Sequence, residues 1–291
     1  MYKIEKVYAD DFERIYPQLL KFQISAFSKD DWHKLFVHYW ESPEEFFGYM
    51  LLKDGEVKGF LGLIFSNRII KDKNYKFCNH TSWVVDEDCR HQSLFLLLEA
   101  LKLKDYIFTC FTASTTVATI FKRFGYNEFA VNQQVLLPMP DFRLIKGDYS
   151  CEFDLKKIRN LLSKNERILF DDHQNLGCKH IVLKTNSGYS YLILKKTIRR
   201  NLPFLKVHYL SNAEHFVEAV ERFILKICLR TKTLGLMVDD RYLGDYRLRR
   251  SINYPHQRKA YFKSNSDELN ENQIDTLYSE LVVLFNSRVQ A

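Results

Sequence analysis

The architecture of this chain turns on Trp83-Val84-Val85-Asp86-Glu87-Asp88-Cys89-Arg90-His91-Gln92-Ser93-Leu94. An apolar run ends, three acidic residues follow, and an arginine precedes a second apolar run through Phe95 to Leu98. The spacing predicts a strand, a short turn and a helix that begins at once near Gln92. The first turn of a helix leaves backbone N–H groups unpaired and carries the positive end of its dipole. Arg90 adds a fork of donors, so a phosphate or pyrophosphate suits this corner. A plain capped turn has the same local geometry and is an equal alternative.

Working outward, Phe77–Val85 predicts the strand itself. By alternation His80 and Ser82 share one face of it, and Trp83 and Val85 the other. Upstream, Asp54-Gly55 between two apolar runs predicts a type I′ hairpin of Gly48–Leu52 with Val57–Ile64. Tyr2–Ala9 predicts a further strand, and Asp10-Asp11 caps a helix through Leu20. Ser28-Lys29-Asp30-Asp31 opens a second helix carrying Trp32, Leu35, Phe36, Tyr39 and Trp40. Downstream, a helix over Gln92–Leu103 is apolar on nearly every side, which predicts that it is sandwiched. A strand at Tyr106–Phe111, a helix over Thr115–Phe124 stopped by Gly125 and a strand at Glu128–Leu137 follow. Pro138-Met139-Pro140-Asp141 is the best linker, and predicts units 1–140 and 141–291.

The second half partly repeats this order. It predicts a helix over Asp154–Phe170, a hairpin turned at Asn186-Ser187-Gly188, a strand ending at Leu210, a helix over Ala213–Cys228 and a strand at Leu234–Val238. A closing helix or strand spans Ile274–Phe285. The fold class expected is α+β with a mixed sheet, in two halves of which the second is either a structural duplicate of the first or one irregular α+β appendage.

Composition excludes several classes. The 291 residues are 46% hydrophobic and 27% charged, enough for a full core. No apolar run is longer than that from Leu94 to Leu98, far shorter than the about 18 residues of a membrane span, and Met1–Lys6 has no secretory apolar core. Ten glycines and six prolines fall well below the usual share of about 12%, and no phosphate-binding glycine motif appears. Six scattered cysteines without a C-x-x-C pair read as buried residues of a reducing compartment, so a cytoplasmic protein without a metal is expected.

The segment around Arg90 resembles the signature of the GCN5-related N-acetyltransferases, in which a strand ending in V-x-P-x-x-R continues as R/Q-x-x-G-x-G/A into a helix. Val85 and Arg90 fall at matching positions. Phe121-Lys122-Arg123-Phe124-Gly125-Tyr126 is similar to the family's Y-E-K-x-G-F, and the likeness spans roughly residues 1–138. It implies an acyltransferase fold that takes acetyl-CoA or another acyl-CoA, with a second half that is a degenerate copy. Cofactor contacts are implied at Trp83, Val84, Val85, Arg90, His91, Gln92, Ser93, Leu94, Phe95 and Ser114. The departures are specific: Ser93 and Phe95 replace both loop glycines, Ser114 replaces an asparagine, and Phe121 replaces a tyrosine that protonates the departing thiolate. Phenylalanine donates no proton.

On this reading the chain transfers an acyl group to an amine acceptor, for which an amino sugar or a sugar-nucleotide amine is preferred, by direct attack on the thioester. His80 is the candidate base, because an imidazole titrates near neutrality, with Ser82 beside it; a packed core histidine is the plainer account. Tyr39 and Trp40 are candidates for the acceptor pocket, which a groove between the halves would complete, and core packing explains these aromatics equally well. The tail Asp275-Thr276-Leu277-Tyr278-Ser279-Glu280-Leu281 is polar enough to face a cleft, though a buried Tyr–Glu bond explains it too. The net charge of +7 and the clusters at 195–200 and 247–250 admit an anionic partner, but alternation splits the first cluster across two faces, a solvated hairpin end is its default reading, and no nucleic-acid module is visible. The alternative is a catalytically silent scaffold that binds a ligand or partner. A tandem transferase using aminoacyl-tRNA is a third option.

Overall fold

A computed structural model describes residues 1–24, 26–129, 132–139, 147–255, 259–264, 269 and 271–285. Along the chain run β1 (Tyr2–Val7), α1 (Phe12–Leu19), α2 (Lys29–His33), β2 (Gly48–Lys53), β3 (Glu56–Ile70), β4 (Lys73–Val85), α3 (Ser93–Ala100), β5 (Tyr106–Ala113), α4 (Thr115–Arg123) and β6 (Asn127–Glu128). There follow β7 (Asn132–Leu136), β8 (Ser150–Glu152), α5 (Leu155–Leu161), α6 (Lys164–His173), β9 (Lys179–Lys184), β10 (Tyr189–Arg199) and β11 (Leu202–Leu210). Then come α7 (Ala213–Thr231), β12 (Leu236–Asp239), α8 (Asp240–Leu243), β13 (Ser251–Pro255), β14 (Lys259–Lys263) and α9 (Glu280–Val283).

These elements form two compact units, each with its own mixed sheet. The first comprises Met1–Glu128, Lys259–Leu269 and Tyr278–Leu284, and the rest of the chain forms the second. The first sheet runs β1-β2-β3-β4-β5-β14-β6 and the second β13-β7-β12-β11-β10-β9-β8. Each holds one parallel pair among antiparallel ones, β4 with β5 and β11 with β12. A helix bridges each parallel pair, as parallel strands require, α3 in the first and α7 in the second. The duplication expected of the two halves is therefore visible in strand order.

In the first unit Leu96, Leu97 and Ala100 of α3 and Phe121 of α4 pack on Leu61, Leu63, Phe65, Cys78 and Phe108 of the sheet. In the second, Phe216, Ala219, Val220, Ile224 and Ile227 recur at helical spacing along α7 and cover Leu183, Leu192, Leu194, Leu205 and Val238. The hairpin at Asp54-Gly55 is present, with both residues at positive φ (52° and 89°) as a type I′ turn demands. Gly125 at φ 73° follows α4.

Several expectations are corrected. The helix α3 is not sandwiched: Leu94, Leu98 and Phe95 are exposed, Phe95 by half. The second helix ends at His33 and passes through a 3₁₀ turn, Lys34–Phe36, into extended Val37, so Tyr39 and Trp40 lie in irregular chain. The helix expected over 154–170 is two, because Ser163 starts a new capping box with Glu166. The strand expected over 128–137 is β6 and β7, which belong to different sheets. The expected linker includes Pro140 and Asp141, and that boundary lies outside the described residues. The compact units divide after Glu128, because β7 pairs with β12 and β13 while β14 returns to pair with β5 and β6.

Candidate functional site

The site begins where two strands part. β4 and β5 are paired from Lys76/Tyr106 to Asn79/Thr109. Beyond that point no ladder joins them among the described residues; β4 continues to Val85 along β3, and β5 to Ala113 along β14. A bulge accompanies the parting. Gly62 faces Thr81 and Phe60 faces Val84, so Leu61 alone opposes both Ser82 and Trp83. Ser82 sits at φ 48°, a left-handed conformation that costs a serine about 1 kcal/mol. A bulge bends its strand and strengthens its twist, which carries β4 away from its parallel neighbour. Gly62 permits the close approach: a Cβ there would lie 2.9 Å from Thr81 Cγ2.

The extra residue shifts the alternation by one, and this corrects the expected faces. His80 opposes Leu63 and Val85 opposes Gly59, so His80, Trp83 and Val85 point the same way. The His80 and Trp83 rings both lie against Phe121, at 5.7 and 6.3 Å between centroids. Asn79, opposite Ile64, points to the other face.

His80 is buried, stacked on Phe108, and its Nε2 shares a hydrogen bond of 2.8 Å with the Tyr126 hydroxyl. Burial lowers its pKa to about 3. The ring is thus neutral and weakly basic at physiological pH, and this geometry does not favour it as a base. Its Nδ1 and the Nε1 of Trp83 are enclosed without a hydrogen-bond partner. Ser82 Oγ lies 3.2 Å from Thr81 Oγ1. Phe121 is wholly buried and stacks on Tyr126 at 4.3 Å.

The segment after β4 differs from the open turn expected of it. Glu87–Gln92 is a 3₁₀ turn that runs directly into α3, with Cys89 N–H donating to the Asp86 carbonyl at 3.0 Å and Ser93 N–H to that of Arg90. Without glycine at 93 or 95 the backbone stays right-handed and winds instead of looping (Ser93 φ −54°, ψ −39°). The free start of the winding is consequently at Glu87 and Asp88, not at Gln92. The acidic side chains are paired: Asp86 with Lys21, Asp88 with Lys53 and Glu87 with Arg90. Arg90 remains 72% exposed, and His91 lies edge-on to Tyr2. Leu94 and Phe95 face outward from the first turn of α3. Ser114 caps α4, its Oγ accepting from Val117 N–H at 3.3 Å.

On the face that Asn79 points to, Trp40 Nε1 donates to the Phe65 carbonyl at 2.7 Å, and its ring meets Tyr278 edge-on at 4.7 Å. Tyr39 and Trp40 line a recess with His38, Phe46, Ile64 and Val283. Burial raises the Tyr39 phenol above its usual range. Beside them α9 brings in a residue that strand patterns did not mark. Glu280 is 1% exposed, its N–H donates to Asn79 Oδ1 at 3.3 Å, and its Oε1 accepts from Thr112 Oγ at 2.8 Å. Its Oε2 is enclosed without a partner. Burial raises its carboxyl. The polarity of the tail was the available signal; a carboxylate in an apolar neighbourhood is worth attention in any sequence.

The second unit repeats the bulge. Ile193 opposes Tyr209 and Leu194 opposes Val207, leaving His208 as the extra residue, and β11 pairs β12 only at Leu205/Leu236 and Lys206/Met237. His208 is buried and shares a 2.8 Å hydrogen bond with Thr276. Asn212 caps α7, with acidic Glu214 in its first turn. Of the basic clusters, Lys195 is buried while Arg200 is exposed, so the first is split between environments. No described helix is long and apolar enough to cross a membrane.

No family model matches this sequence, and no curated protein does either. Solved structures do match. A GCN5-related N-acetyltransferase from Anabaena variabilis is similar at TM-score 0.61 and 11% identity, over 90% of this chain and 72% of that one. Its counterpart from Kribbella flavida is similar at TM-score 0.55 and 9% identity, over 90% and 70%. A tandem protein of the same kind from the clavulanic acid biosynthesis pathway is similar at TM-score 0.55 and 14% identity, over 92% of this chain and all of that one. With its paired sheets, its single parallel strand pair in each and its parted, bulged central strands, the chain has the two-part fold of the GCN5-related N-acetyltransferases.

Proposed function

We propose that the protein is an acyl-CoA-dependent N-acyltransferase, with the acyl-CoA bound by the first unit. One observation carries this reading: β4 and β5 part beyond Asn79/Thr109 and leave a strand edge free there, among the described residues, beside the enclosed, unpartnered Trp83 Nε1 and His80 Nδ1. Buried polar groups without partners are rare in folded proteins and call for an explanation. An extended amide-bearing arm such as pantetheine pairs with a free strand edge as a strand would. Trp83, Val84 and Val85 would hold that arm. Arg90, His91, Gln92, Ser93, Leu94, Phe95 and Ser114 would border the diphosphate end. His80 would back the thioester from the Trp83 face of β4, Ser82 would sit in the bulge beside it, and Tyr39 and Trp40 would line the acceptor side on the opposite face. The acceptor is a small amine, with an amino sugar preferred, and acetyl is the simplest acyl group. The second unit is a degenerate copy, and a reducing cytosolic setting suits the six buried cysteines.

The test is ligand-linked stability. A ligand at 100 times its Kd stabilises a fold by about 2.7 kcal/mol. Acetyl-CoA is expected to raise the melting temperature, and Arg90→Ala to abolish the rise. No rise at millimolar acetyl-CoA removes the reading.

A second reading has its own support. The wound, glycine-free Glu87–Gln92 segment with acidic residues at its start, and Phe121 in place of a proton donor, favour a silent scaffold. Acetyl-CoA binding with no thiol release in the presence of glucosamine or butylamine would establish it.

A further inference from the structure

We propose that Glu280 moves the proton in acyl transfer, a role that rests on the acyltransferase reading above. Glu280 lies where the two central strands part. Its N–H is held by Asn79, the last residue of β4 to pair with β5. Asn79 is in turn fixed by its own donations to Thr109 Oγ at 3.1 Å and to the Thr109 carbonyl at 3.3 Å. Thr112, on the diverging part of β5, holds one carboxyl oxygen. The other oxygen is enclosed without a hydrogen-bond partner, while the Phe111 backbone and the Asn79 side chain lie near enough to favour the charged form against burial.

This arrangement is costly and specific. Burying a carboxylate without a cation is strongly unfavourable, and no ion pair reaches Glu280 among the described residues. A glutamine would satisfy Asn79 and Thr112 equally well, so architecture alone does not require the acid. The other titratable groups of the neighbourhood do not take over its work. Cys110 on β5 is pushed up by burial, the His80–Tyr126 pair lies on the opposite face of β4, and Lys34 in the turn packed on α9 is paired with Asp31. Perturbed acids with a free oxygen at a fork in a sheet are what proton transfer needs.

The step balances as follows. The acceptor nitrogen attacks the thioester carbonyl, forming the C–N bond. Glu280 Oε2 takes one proton from that nitrogen. The C–S bond then breaks, and the departing sulfur takes the proton back from Glu280, leaving amide, thiol and the original carboxylate. Phe121 supplies no proton, so a single group serving both halves of the step closes the balance.

The experiment uses the full chain, acetyl-CoA, and glucosamine or butylamine as probe acceptors, with thiol release as the rate. Glu280→Gln is expected to bind acetyl-CoA like the parent, melt no lower, and lose about 100-fold or more in rate. It is also expected to lose the acidic limb of the kcat/KM–pH profile, which a purely structural role would not move, while Glu280→Asp restores part of the rate. Retention of rate and acidic limb in a Glu280→Gln that binds acetyl-CoA overturns the assignment alone. Failure of the parent to bind acetyl-CoA overturns the acyltransferase reading, and binding without thiol release establishes the scaffold; both remove the proposal.

Discussion

Mild acid provides a quantitative probe of the His80–Tyr126 pair. His80 is neutral in the folded chain, with its pKa lowered to about 3 by burial, whereas an unfolded imidazole titrates near 6.5. The sign follows from proton counts. Between those two values the unfolded state holds a proton that the folded state does not, so stability falls as pH falls below about 6.5 and continues to fall towards 3. From pH 7 to pH 5 the unfolded imidazole gains about 25-fold in its binding polynomial, so folding loses about 2 kcal/mol from this one ring. Glu280 in the same unit opposes the trend, since its raised carboxyl takes up a proton in the folded state first. A paired variant isolates the imidazole. His80→Phe with Tyr126→Phe replaces both partners of the 2.8 Å bond by rings of similar shape and leaves no orphaned hydroxyl. Urea unfolding of parent and double variant at pH 5, 6 and 7 gives the two slopes of stability against pH, with the m-value as a check on the unfolded state. The parent is expected to lose about 2 kcal/mol more than the variant over that range. Parallel lines would refute the reasoning and place the His80 titration near its ordinary value.

Two further substitutions test the frame. Asp239 and Arg241 form a buried ion pair, with the guanidinium at 3.0 Å from Asp239 Oδ2 and also donating to the carbonyls of Glu271 and Ile274. Asp239→Ala strands that charge and is expected to cost about 3–5 kcal/mol in urea unfolding; a loss below about 1 kcal/mol would contradict the burial. Gly48 lies at φ 152°, and a Cβ there would come within 2.2 Å of the Leu61 carbonyl oxygen. Gly48→Ala is therefore expected to cost about 2–3 kcal/mol, measured the same way, and a neutral outcome would mean that β2 and β3 sit further apart.

Much of the fold was legible because local signals agreed with it. Asp54-Gly55, Gly125, and the spacing of Phe216, Val220, Ile224 and Ile227 each specify backbone geometry without help from distant residues. What escaped was set by distant pairing. The strands β13 and β14 carry little alternation, and Ile252 in β13 is 58% exposed, so backbone bonds to β7, β5 and β6 define them. At the candidate site, Arg90 and Ser114 stood out in the sequence as motif positions, and the structure places Arg90 on the surface beside Glu87 and Ser114 at the cap of α4. The face assignment of His80 failed because one bulge at Ser82 inverts a period of two, and a bulge leaves no mark in composition. Glu280 was visible only as polarity in a tail, since its partners Asn79 and Thr112 belong to the opposite end of the sequence.

The threading of β14 between β5 and β6 has a consequence for how the protein is made. Tyr261 meets Cys110 across the ladder, so the first sheet closes only after residue 261 and its neighbours have left the ribosome. Until then β5 offers a bare edge, the kind of surface that recruits other chains. Such long-range closure slows folding. A fragment ending near residue 140 would carry that edge permanently, and would be expected to clump where the whole chain stays dispersed.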